Sequence, residues 1–83
     1  MDNSLLYFSA TWCNPCKMFA PIMDEISETI TVTKYDVDID KLETSNFVIK
    51  NVPTVILVDS EGHELRRFAG VKSKQQVLEF YKG

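Results

Sequence analysis

The sequence predicts an α/β protein whose elements follow the order β-α-β-α-β-β-α. Three patterns carry that prediction. The continuous apolar run Leu5-Leu6-Tyr7-Phe8 reads as a strand buried on both faces. Phe19, Ile22, Met23, Ile26 and Ile30 then recur at helical spacing and form one apolar stripe. Farther on, Thr54-Val55-Ile56-Leu57-Val58 runs into the turn residues Asp59-Ser60-Glu61-Gly62 and a second strand candidate, the pattern of a hairpin.

The first strand begins almost at residue 1 and its all-apolar character makes it central. The first helix is expected over residues 15–29, with Asn14 as N-cap and Pro15 at the first helical position. Pro21 lies inside the stripe, lacks an N–H and predicts a kink. Residues 32–39 alternate, with Tyr35, Val37 and Ile39 on one side and Lys34, Asp36 and Asp38 on the other, as in a second strand. Asp40 and Glu43 then read as a capping pair opening a short helix over 41–49, with Leu42, Val48 and Ile49 available to the core. The hairpin pairs strand 54–58 with strand 63–68, where Arg66 and Arg67 suit a sheet edge. Ser73 and Gln76 form a capping box, and Val77, Leu78, Phe80 and Tyr81 give the last helix its inner side.

At 83 residues the chain accommodates one small domain, residues 1–83, near the lower limit for a self-sufficient core. A net charge of −3 with scattered cations gives no electrostatic reason to bind nucleic acid or anionic lipid. No apolar run approaches membrane-spanning length, and no basic segment precedes a signal-like apolar stretch, so a monomeric protein of the cytoplasm is expected. There, an accessible disulfide serves as a redox couple rather than a staple. Cys13, Cys16 and His63 are one ligand short of a closed zinc site, so no metal is expected, and His63 reads as a solvated hairpin residue.

The stretch Trp12-Cys13-Asn14-Pro15-Cys16-Lys17 holds the only two cysteines, two residues apart, where a strand runs into a helix. Thiols so placed can close a disulfide and reopen it with little backbone movement, carrying two electrons. The unpaired N–H groups and positive dipole end of the helix favour the Cys13 thiolate, and Lys17 adds positive charge nearby. Cys13 is accordingly expected to be the exposed nucleophile and Cys16 the resolving thiol.

The segment Phe8-Ser9-Ala10-Thr11-Trp12-Cys13-Asn14-Pro15-Cys16-Lys17-Met18-Phe19-Ala20-Pro21 resembles the active-site segment of thioredoxins, whose usual form is Trp-Cys-Gly-Pro-Cys-Lys followed by an apolar pair, Ala and Pro. The resemblance extends through Lys34-Tyr35-Asp36-Val37-Asp38, Val52-Pro53-Thr54, Gly62 and Gly70. It implies a thioredoxin fold lacking the first βα unit, with helices on both faces of a four-stranded mixed sheet in the order 2-1-3-4. It also implies a cis-proline at Pro53, with Val52 and Pro53 docking substrate as an added strand. Trp12, Val52, Ala69, Gly70 and Val71 would form the apolar rim where a partner lands.

The implied activity is a protein-disulfide reductase that serves electron transport and cell redox homeostasis. No cofactor is bound, and electrons come from NADPH through a thioredoxin reductase. Substrates are disulfide-containing proteins, with ribonucleotide reductase one family-based candidate. Two departures stand out: Asn14 replaces the usual glycine, where the family tunes its redox potential, and Tyr7 replaces the buried aspartate that helps deprotonate the resolving thiol. A phenol is a poor base at neutral pH. With that aspartate replaced, water, Asp36 or Lys34, which matches a buried family lysine, is expected to assist Cys16 instead. The chain length is also compatible with a glutathione-recycled glutaredoxin. Against that stand Trp12, the Asn14-Pro15 pair in place of Pro-Tyr, and the lack of a Gly-Gly pair near Gly70. A binding subunit that uses the fold without catalysis is the third reading.

Overall fold

The computed structural model describes residues 2–83. Its elements are β1 (Ser4–Ser9), α1 (Asn14–Ile26), β2 (Val32–Asp36), α2 (Lys41–Asn46), β3 (Thr54–Val58), β4 (Glu64–Ala69) and α3 (Lys74–Lys82). The sheet runs β2-β1-β3-β4. β1 pairs parallel with β2 and antiparallel with β3, and β3 pairs antiparallel with β4, so the sheet is mixed.

The two inner strands divide their side chains by the period of two. Leu5, Tyr7, Val55 and Leu57 face Phe19, Met23 and Ile26 of α1 and Val77 of α3. Leu6, Phe8, Ile56 and Val58 form a second core on the opposite face, covered by Tyr35, Val37, Phe47 and Ile49. Layers on both faces explain why β1 and β3 are apolar at nearly every position.

Several local expectations change. Cys13, not Asn14, caps α1: its Sγ accepts the Cys16 N–H at 3.1 Å, and Asn14 and Pro15 are the first two helical residues. α1 ends at Ile26 rather than residue 29, because the Ser27, Glu28 and Thr29 amides close onto Met23, Glu25 and Ile26 carbonyls as a terminal turn. The helix passes through Pro21 unbroken.

β2 ends at Asp36 instead of continuing to 39. The Asp36 and Asp40 pair builds a turn there: Asp36 N–H donates to Asp40 Oδ2 and Asp38 N–H to Asp36 Oδ1, both at 2.8 Å. Ile39, placed inward by the alternation, is therefore 77% exposed. The same use of the Asp40 carboxylate leaves α2 without a side-chain cap. Leu42 and Val48 are exposed, and Phe47 joins Ile49 on the core.

β4 spans Glu64–Ala69 at the sheet edge, one residue later than expected at each end. Its arginines tie it to neighbouring elements. Arg66 donates to the Phe80 carbonyl at the end of α3, and Arg67 donates to the Phe47 carbonyl after α2. The Ser73 and Gln76 capping box is formed.

Arg67 also pairs with Glu64 through two 2.7 Å hydrogen bonds. Hydrogen bonding to Arg67 is the main reason the Glu64 carboxyl titrates below its ordinary 4.5. With the folded-state value depressed, the pair's contribution is complete above pH 4.5 and is lost as pH falls through the folded value. Glu64→Gln is expected to lose roughly 0.5–1 kcal/mol at pH 7, the size of a partly exposed pair. In urea melts the difference from the parent protein should shrink as pH is lowered below 4.5.

Candidate active site

The loop from β1 to α1 lifts Trp12 and Cys13 to one end of the sheet. The Cys13 N–H donates to the Ala10 carbonyl, which folds the chain into the helix start. Cys13 and Cys16 are joined as a disulfide, with Cα atoms 5.2 Å apart. Contrary to the expectation of an exposed thiol, each cysteine is only 4% exposed. Ala10, Val37 and Val52 pack against the pair.

The two sulfurs have different surroundings. Cys13 Sγ lies 3.6 Å from the Val52 carbonyl oxygen and receives the Cys16 N–H. Cys16 stands above Tyr7, whose hydroxyl donates to the Cys16 carbonyl at 3.4 Å. Burial is the main cause that pushes the Tyr7 phenol above its ordinary 10.0. Tyr7 stays protonated at neutral pH and is not a base for either thiol.

The Val52–Pro53 peptide bond is cis, and Pro53 is fully buried. Gly70 follows β4 with φ +94°, a conformation that favours glycine, and donates its N–H to the Pro53 carbonyl at 2.9 Å. That bond holds the Gly70 turn beside the proline loop. Val71 follows on the surface. A groove of about 490 Å³ passes Trp12, Val37, Ile49, Lys50, Asn51 and Val52. It runs directly past the valines that pack on the cysteine pair.

A family model described as Thioredoxin matches residues 1–83. The chain belongs to the thioredoxin family. The thioredoxin of Mycobacterium tuberculosis (strain ATCC 25618 / H37Rv) is 41% identical over 78 residues, covering 89% of this chain and 66% of that protein. The bifunctional thioredoxin reductase/thioredoxin of Mycobacterium leprae is 40% identical over 78 residues, 89% of this chain and 17% of that protein. The chain thus spans about two thirds of the length of the mycobacterial thioredoxins it matches. Among solved structures, a reduced thioredoxin pre-protein of Schistosoma mansoni superposes with TM-score 0.87 at 31% identity, covering 98% of this chain and 77% of that one. A mutant thioredoxin from Halobacterium salinarum gives 0.87 at 28% identity, with 98% and 73% covered.

Within this thioredoxin fold the sequence-marked residues do not all gather at the thiols. Trp12, Cys13, Cys16, Val52, Pro53 and Gly70 converge. Asn14, Pro15 and Lys17 lie exposed on the first turn of α1, where the Lys17 N–H donates to the Cys13 carbonyl. Lys34 is not the buried lysine that the resemblance implied: it is exposed and paired with Asp24 of α1. Among the described residues no group of three His, Cys, Asp or Glu side chains could hold a metal ion. Nor is any helix of the described residues long and apolar enough to cross a membrane.

Asp38 is the site residue that the sequence pattern did not single out. Its Oδ2 accepts the Trp12 indole N–H at 2.8 Å, fixing a ring that is otherwise 64% exposed. The contact spans 26 positions, so no local motif announces it. Asp38→Ala is expected to free the ring, red-shift the emission of the single tryptophan and raise KM for a protein disulfide several-fold, with the loss of one charge-assisted hydrogen bond, about 1.5–3 kcal/mol, as the upper limit. Steady-state fluorescence and substrate titration check both effects.

Proposed function

We propose that this protein is a protein-disulfide reductase working by dithiol-disulfide exchange. The Cys13 thiolate attacks one sulfur of a substrate disulfide. That S–S bond breaks, a mixed disulfide forms on Cys13, and one substrate sulfur leaves as thiolate and is protonated by solvent. Cys16, as thiolate, then attacks the Cys13 sulfur and releases the second substrate sulfur. The protein is left as the Cys13–Cys16 disulfide, oxidised by two electrons, and the substrate is reduced by two.

The observation that carries this reading is the Cys13 sulfur itself. It caps α1, receives the Cys16 N–H and borders the groove through Val52, so the helix start stabilises a thiolate on the side a substrate can approach. Asn14, Pro15 and Lys17 shape and charge that helix start. Val52 and Pro53 offer the backbone along which an extended substrate segment pairs, and Trp12, Gly70 and Val71 form the rim around it. The thiols carry the chemistry without a bound cofactor, and electrons arrive from NADPH through a thioredoxin reductase. The Mycobacterium leprae relative, named as a reductase and thioredoxin in one protein, supports that pairing.

The test is reduction of insulin disulfides with each recycling system supplied separately. Turnover with NADPH and thioredoxin reductase supports the reading. Turnover only with glutathione and its reductase would replace it with a glutaredoxin-type reaction, and no turnover with either would overturn it.

A further inference from the structure

A second opening, which shares no lining residue with the groove at Trp12 and Val52, reaches Cys16. It is a crevice of about 230 Å³ between β1, β2 and α1, lined by Tyr7, Ser9, Cys16, Lys17, Lys34 and Asp36 together with Ala10, Thr11 and Ala20. That volume has room for several waters, and its polar walls supply the hydrogen-bond partners that water needs. Cys13 is not among the lining residues.

Of the groups on this wall, Asp36 is the only carboxylate. The charged and titratable neighbours that face it are few. β1 contributes Tyr7, whose burial keeps it protonated, and α1 contributes Lys17 and Cys16. β2 itself contributes Lys34, which is held by Asp24 on α1. The turn that follows contributes Asp40, which binds the Asp36 N–H, and Asp38, which turns away to Trp12. Asp36 Oδ1 accepts the Asp38 N–H, and among the described residues no hydrogen-bond donor is paired with Oδ2.

We propose that water in this crevice carries the Cys16 thiol proton to Asp36 during the resolving step. The inference rests on the disulfide-exchange reading above. Cys16 loses its proton to a crevice water, which passes one to the Asp36 carboxylate. The Cys16 thiolate then attacks the mixed disulfide, the substrate sulfur departs as thiolate, and Asp36 returns its proton to solvent. Asp36 touches no sulfur and acts only through water, so it is a positioning residue for the proton.

The test mixes reduced protein with an equimolar aromatic disulfide, dithiobis(nitrobenzoate). Each released aromatic thiolate is coloured, so the attack by Cys13 and the closure by Cys16 appear as successive phases in a stopped-flow trace. Asp36→Asn keeps an oxygen for the Asp38 N–H and hence the turn. Asp36→Ser does the same with a hydroxyl if the amide variant does not fold.

In either variant the ratio of second-phase to first-phase rate should fall about 100-fold near neutral pH, the lower end of what a positioned base contributes. The gap should close as pH rises past about 8.5, where a free thiol ionises unaided. An unchanged second phase overturns the inference. So does a second phase slowed by one factor at every pH, which is the signature of a distorted turn. Absence of a first phase in the parent protein would instead overturn the disulfide-exchange reading, so the two failures are distinguishable.

Discussion

Cys13→Ser is expected to lower insulin-disulfide reduction by at least about 10³-fold, because the covalent nucleophile is gone and the hydroxyl that replaces it does not exchange with disulfides. Cys16→Ser should fail differently. It still attacks once and then stalls as a mixed disulfide, visible as a mass increase equal to one substrate chain and reversed by dithiothreitol. The two cysteines are buried alike, at 4% exposure each, so accessibility alone does not assign these roles. Their neighbours do. Cys13 Sγ sits at the helix cap beside the Val52 carbonyl, whereas Cys16 lies over Tyr7 and lines the crevice between β1, β2 and α1. A stable adduct on Cys16 in the Cys13→Ser protein, with none on Cys13 in the Cys16→Ser protein, would reverse the order of attack.

How much of this was legible beforehand depends on whether a signal was local. The Ser73 and Gln76 capping box, the Asp59–Gly62 turn and the apolar runs of β1 and β3 are short-range patterns, and all form as read. At the hairpin turn, the Asp59 carboxylate accepts the Glu61 and His63 N–H groups, and those bonds, the His63 one foremost, hold it below its ordinary value.

Errors arose where one signal could serve two structures. Alternation through Ile39 looks like a strand, but Asp36 and Asp40 spend their hydrogen bonds on each other and curl the backbone out of the sheet. Asn14 is the better cap by type. Cys13 takes that place because its sulfur is held over the Cys16 amide. Lys34 with Asp24 and Trp12 with Asp38 depend on packing between distant segments, which one sequence does not reveal.

The largest loss of stability is expected at Phe19, whose ring holds α1 to the sheet. Phe19 is fully buried, meets Tyr7 edge-on at 5.7 Å and approaches Phe68 at 6.3 Å. Truncation to Ala removes both aromatic contacts and leaves a cavity that the rigid strands cannot close, at a cost of about 3–5 kcal/mol. Net stability near 0.05–0.15 kcal/mol per residue gives a chain of 83 residues only about 4–12 kcal/mol in all. Phe19→Ala should therefore leave a substantial unfolded fraction at 37 °C, read by circular dichroism and urea titration. Met18→Ala, one residue away but 71% exposed, should change stability by no more than about 0.5 kcal/mol. Phe19 is three residues beyond Cys16 on the helix that Cys13 caps, so the same cavity loosens the support of both thiols. Even the folded fraction of Phe19→Ala should then show a Cys13 thiol less readily ionised than the parent's, measured as a rise in the pH midpoint of iodoacetamide alkylation. An unchanged midpoint would mean that the first turn of α1 holds the thiolate without the packing beneath it.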